Sequence, residues 1–228
     1  MGLSPGSMAS YRTKTDVVYD ELRKEIIAGR YPPGTRIVVD QIASQLGVSK
    51  LPVRGAVDRL VGEGWLQTRA HVGAVVPELS PDEILETSII RAAVEGVAVR
   101  TSVAHVGPET LAELCELVDQ TDIAAAAADP EYPELNYQFH AATFCVCPYP
   151  SLQSMAVGLL GRSFRLRTVR FLPSYLPRSQ REHHLLVDAI ANGDANRAEQ
   201  IVRQHVEYSG QLLSQYAVGH RGAETTDR

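Results

Sequence analysis

The residues able to do chemistry in this 228-residue chain are mainly histidines and arginines. Asn136 and His140, in the stretch NYQFH, stand four residues apart, which puts both side chains on one face of a helix. His140 shares that face with Phe144. His183 precedes Val187 and Ile190 on the stripe of a second helix, and His205 sits among Ile201, Tyr208 and Leu212 on that of a third. Three imidazoles on inward-facing stripes of three helices can converge in a bundle core, the usual way bundles build metal sites. Each taken singly also fits a hydrogen-bonded core histidine, so spacing alone leaves a metal centre and an ordinary polar core both open. His184 falls on another face. A catalytic zinc site would also need a carboxylate placed as general base. Glu182 adjoins His183, but neighbours on a helix point apart. No nucleophile elbow, phosphate loop or HExxH stretch is present, so the chain reads as a non-enzyme.

The second constellation is cationic. Lys50, Leu51 and Arg54 lie off the Val53, Val57 and Leu60 stripe at the start of a short helix. Such an N-terminal end enters the DNA major groove in helix-turn-helix proteins, where Lys or Arg meets guanine or phosphate and an apolar side chain meets a thymine methyl. A hairpin tip over Arg69 to Gly73 brings Arg69 and His71 to the backbone or minor groove. The expected DNA-facing set is Arg36, Ser49, Lys50, Leu51, Arg54, Arg69, His71 and Gly73.

These residues need elements to hold them. Val18, Leu22 and Ile26 recur every four residues and predict a first helix, broken by GRYPPGT. A second helix carries Ile42 and Leu46 and stops at Gly47; Ser49 caps the third, and Pro52 sits harmlessly in its first turn. Two short apolar segments, Trp65–Thr68 and Ala74–Pro77, read as a hairpin. Three helices with a glycine turn, then a hairpin, form a winged helix-turn-helix pattern over 10–78. Beyond it, six helical segments follow at 81–105, 108–127, 131–146, 151–171, 175–191 and 195–218. The fold class is therefore mainly α: a winged helix-turn-helix plus an all-α six-helix bundle over 79–218, with a polar, disordered tail at 219–228.

Charge follows the same division. Residues 1–78 carry 10 Lys/Arg against 8 Asp/Glu, and the remainder 12 against 19, as expected for a nucleic-acid reader joined to a different module. Cys115, Cys145 and Cys147 are too few and unpaired for a disulfide framework and read as reduced thiols. No run approaches the roughly 18 apolar residues of a membrane span, and the N-terminus lacks the pattern of a secretory signal, so a cytoplasmic protein is expected.

The stretch PPGTRIVVDQIASQLGVSKLPVRGAVDRLVGEGWLQ resembles the N-terminal reader of the GntR family of bacterial transcription regulators, with PPGT, IASQLGVS, PVR, RL and EGWL in family order. The second half is similar to the helical FCD effector domain of the FadR-like branch. RAAVE at Arg91–Glu95, NYQFH at 136–140, the segment RSFRLRTVR, and EHHLLVDAIANGDANRAEQIVRQH at 182–205 carry that resemblance. Six helices rather than seven point to the smaller VanR-type version.

The resemblance implies a homodimer on a palindromic double-stranded DNA operator. It also implies a divalent metal on Asn136, His140, His183 and His205, and a small carboxylate effector beside it. Arg91, Arg162 and Arg165 (with Arg170 as a further candidate) are the expected carboxylate forks. Lys50, Leu51, Gly55 and Val72 stand where the family usually has Arg, Thr, Glu and Arg, and Asn136 where many members have Asp. Three imidazoles and a neutral amide suit Zn or Ni better than Mg or Ca. Two rivals are a regulator that senses the metal itself and a helical metalloenzyme with an accessory DNA-binding head.

Overall fold

The computed structural model describes residues 12–78, 80–164 and 175–224. Helix α1 (Lys14–Ile27) opens with a capping box in which Thr13 Oγ1 accepts from the Asp16 amide and Asp16 Oδ2 from the Thr13 amide. It buries Val18, Leu22 and Ile26, the residues whose recurrence marked it. Helix α2 (Val39–Leu46) ends at Gly47, whose φ of +63° gives the left-handed turn into α3 (Lys50–Gly62). Ser49 occupies the N-cap position of α3, but its side chain makes no capping hydrogen bond. Val53, Ala56, Val57 and Leu60 form the buried side of α3.

Strands β1 (Gln67–Arg69) and β2 (Gly73–Val75) pair antiparallel around the loop Ala70, His71 and Val72. They are offset from the segments expected, because Trp65 and Leu66 leave the ladder for the core, at 0% and 2% exposure. The segment 34–37 adds a further edge that the sequence did not announce. Gly34 donates to the Val76 carbonyl, Val76 to Thr35 and Ile37 to Ala74, each at 2.9 Å, and Arg36 is bridged to Val75. The result is a winged helix-turn-helix.

Among its described residues the second domain holds six α-helices: α4 (Pro81–Ser102), α5 (Pro108–Ala126), α6 (Tyr132–Ala142), α7 (Pro150–Phe164), α8 (Leu176–Ala191) and α9 (Ala195–Glu224). Ser80 and Glu83 close a capping box at the start of α4, which packs along α9 as the spine of the bundle. α5 lies between α6 and α8, and α7 leans on α4 and α6. Three boundaries differ from the sequence reading, the first at α4, which gives way after Ser102 to a 3-10 turn over Val103–His105; the end expected for α7, 165–171, lies outside the described residues. α6 stops at Ala142 rather than 146, where the Thr143 hydroxyl takes the His140 carbonyl at 2.7 Å. α9 runs past Gly219 to Glu224, because a polar composition does not stop a helix already nucleated from propagating. No helix among the described residues is long and apolar enough to cross a membrane.

The two domains meet around Trp65. Its ring stands 5.6 Å from that of Tyr137 on α6, and its indole lies against Gly161 on α7. A Cβ at Gly161 would come within 2.5 Å of the indole carbons. Arg23 of α1 pairs with Glu134 of α6 at 3.0 Å beside this contact. Gly161→Ala should therefore push the domains apart at this point, costing about 1–3 kcal/mol as overpacking does. Urea unfolding measures the loss, and the emission of Trp65, the sole tryptophan, should shift to the red.

Candidate metal centre and DNA-reading face

His140 on α6, His183 on α8 and His205 on α9 converge in the bundle core, each 3% exposed or less. One ligand atom from each lies within 4.8 Å of the others, and the ring centroids are 4.9–5.1 Å apart. Asn136, one turn before His140, is completely buried, and neither polar atom of its amide has a hydrogen-bond partner among the described residues. Leaving such a group unsatisfied costs about 1–3 kcal/mol. A divalent cation fits this donor set: the imidazoles bring nitrogen lone pairs and the orphaned amide an oxygen.

The supporting groups were not evident from the sequence. Glu182 Oε2 is 2.9 Å from His205 Nδ1, and its Oε1 accepts from Arg178 Nε at 2.7 Å. A proton on Nδ1 held by the carboxylate leaves Nε2 as the lone pair of His205, the tautomer a metal ligand needs. The Tyr175 hydroxyl lies 3.5 Å from that Nε2, and Ser179 Oγ 3.5 Å from His183 Nε2. Only the i,i+4 spacing of Arg178 and Glu182 was visible beforehand; the partner of Glu182 lies 23 residues on. His184 turns outward to Asp122 at 2.6 Å.

The arginines expected to fork a carboxylate are distributed differently. Arg91 is 1% exposed and its fork is already filled, by Glu95 through Nε at 2.6 Å and Nη2 at 3.1 Å and by Ser163 at 2.6 Å. A carboxylate does meet Arg91, but it is the protein's own, one turn along α4. Arg162 lines a cleft of about 470 Å³ between the domains, with Glu63, Glu78 and Glu83, away from the histidines. Arg165 and Arg170 lie outside the described residues.

All eight residues expected to face DNA are exposed. Leu51 shows 79% of its surface at the N-terminal end of α3, an uncommon exposure for a leucine. Arg36, Arg54 and Arg69 make no ion pair among the described residues. Lys50 Nζ is held by Asp40 of α2 at 2.8 Å. His71 takes a φ of +63° at the tip of the hairpin loop, with Gly73 at +100°, so the wing turns tightly and presents its imidazole to solvent.

Comparison with known proteins agrees with both halves. The profile of bacterial regulatory proteins of the gntR family matches residues 14–76, and that of the FCD domain matches residues 83–208. The chain belongs to the GntR family. Among similar proteins, a probable D-xylose utilization operon transcriptional repressor of Paenarthrobacter nicotinovorans is 30% identical over 85% of this chain and 87% of its own. The regulator McbR of Escherichia coli is 28% identical over 87% and 91%. Its solved structure superposes with a TM-score of 0.80, covering 90% of this chain and 99% of McbR. The chain is thus a transcription regulator with a DNA-binding head and an FCD domain, not an enzyme.

The carboxyl of Glu182 has a pH signature. Burial pushes it up, but the hydrogen bonds from His205 and Arg178 outweigh burial and hold it below its ordinary value of 4.5. Because the folded value is the depressed one, its contribution to stability is complete above the ordinary value and fades as pH falls through the folded value. In metal-free protein, Glu182→Gln should flatten this acid limb in urea midpoints taken between about pH 3 and 6. An acid limb equal to that of the wild type would remove Glu182 from the account.

Proposed function

We propose that this GntR-family regulator acts in the cytoplasm as a homodimer on a palindromic operator and is controlled by a small organic acid bound beside a divalent transition metal in its FCD domain. The observation that carries the reading is the convergence of three buried imidazoles with a buried, unpartnered amide. Asn136, His140, His183 and His205 would hold the cation, with zinc or nickel the best suited. Bound there, the metal would supply a Lewis-acidic position for an acid's oxygen. Tyr175 lies on the Nε2 side of His205, where such a ligand would sit, and Glu182 holds the tautomer. With Arg91 engaged, its role is to brace α4 against α7, and recognition of the acid rests on the metal and Tyr175.

The dimer is supported by α4. Ile89, Ile90 and Val97 stand 65%, 43% and 37% exposed on this helix, an apolar strip that a second copy would cover. Two heads related by a twofold axis read half-sites in inverted repeat. Arg54 reads a base, Leu51 a thymine methyl, and Arg36, Ser49, Lys50, Arg69, His71 and Gly73 meet phosphate or the minor groove. Ligand binding acts by its different affinity for two arrangements of the heads.

Elemental analysis with native mass spectrometry of the purified protein should find one zinc or nickel per chain, lost in His183→Ala. Asn136→Asp, which adds a negative charge to the donor set, should raise metal affinity. Metal-free wild-type protein that takes up neither ion would overturn the centre. Small carboxylic acids titrated against operator binding of the zinc-loaded protein then separate an acid-responsive regulator, whose affinity shifts further with acid, from a metal sensor, which answers to zinc and is unmoved by acids. Arg54→Ala should weaken specific operator binding by about 1–3 kcal/mol while leaving the fold intact. Unchanged gel shifts would remove α3 as the reading helix.

A further inference from the structure

Helix α6 has two working sides. Asn136 and His140 point into the histidine centre, while Glu134 and Tyr137 lie roughly 110° further round the axis at 3.6 residues per turn. That second side meets the DNA-reading head. Glu134 Oε1 accepts from Arg23 Nη2 at 3.0 Å, with side chains only 12% and 15% exposed, so solvent screens the pair less than an exposed one. The Arg23 guanidinium also lies 4.6 Å above the Tyr137 ring. On its other flank Tyr137 meets the fully buried Trp65, three residues beyond the end of α3. Arg23 belongs to α1, which packs on α3. A movement of α6 therefore has two stiff routes to the recognition helix, one through α1 and one through Trp65.

The centre gives α6 a reason to move. Without a cation the Asn136 amide is buried and unsatisfied; with one, donors on two successive turns of α6 gain a common partner. The interaction differs between the two states, which is what a shift in conformation requires. We propose that α6 is the coupling element of this regulator: filling the histidine centre displaces α6, and the Glu134–Arg23 pair and the Tyr137–Trp65 contact carry that displacement to the recognition helix. This rests on the proposed metal-binding role of the centre.

Trp65 is a built-in reporter, since it is the sole tryptophan and sits at the joint. Zinc titrated into metal-stripped, full-length protein should change its emission and saturate at one zinc per chain. For a duplex recovered by the protein from random-sequence DNA, zinc should change affinity by about 5- to 150-fold, the usual span of coupling between sites. In Glu134→Gln and Arg23→Lys, which cut one of the two routes, that ratio should move several-fold toward unity while zinc affinity stays as in the wild type. Tyr137→Leu removes the ring but keeps the ion pair, and should reduce both the emission change and the ratio. A merely structural contact would lower the urea midpoint and leave the ratio alone. Zinc that binds but moves neither wild-type signal, or variants that keep the wild-type ratio, overturns the coupling and leaves the metal reading standing. If no zinc binds, both fall.

Discussion

The cost of burying polar side chains in a helical core governs much of this structure. Asn136 and three histidines are all 3% exposed or less, in a place where apolar side chains would pack without any debt of hydrogen bonds. Each group constrains the helix that carries it. α6 must turn Asn136 and His140 inward together, which sends Glu134 and Tyr137 to the domain boundary. α8 must bring His183 to the centre and Glu182 to His205, so two consecutive residues serve two different partners. α9 must place His205 between them while still running the length of α4.

A second buried polar group, Arg91 with Glu95 and Ser163, ties α4 to α7. Desolvating such a pair is expensive, and its stabilising value is small compared with the penalty of breaking it. Its geometric effect is definite. Ser163 fixes α7 two residues from Gly161, where the helix gives way to the Trp65 indole. The spine of the bundle, the helix that receives the head, and the tryptophan at the joint are thus held in one register.

Much of this was legible in the sequence, and the exceptions have physical causes. Helix periodicity, the Gly47 turn and the proline punctuation gave the order of the elements, because each is a local signal. The histidines were legible as a candidate set because their stripes are local too, although convergence of three helices is not. Glu182 was set aside because a neighbour of His183 must point elsewhere; it does, and what it points to is His205. Arg91 was read as a fork for an outside carboxylate, since nothing local says that Glu95 on the next turn will be buried with it. Trp65 was read as the start of a strand because its apolar character fits a wing as well as an interdomain contact. Its true partners, Tyr137 and Gly161, lie too far along the chain for any spacing rule.

That long separation also sets an order of folding. The head is made of neighbouring elements whose contacts close over short loops, so it can form as soon as it is synthesised. Trp65 then waits in water until α6 and α7 have been made and assembled. A nascent chain stalled between the two domains would expose its largest side chain on an otherwise finished head, a natural target for a chaperone and a natural starting point for aggregation.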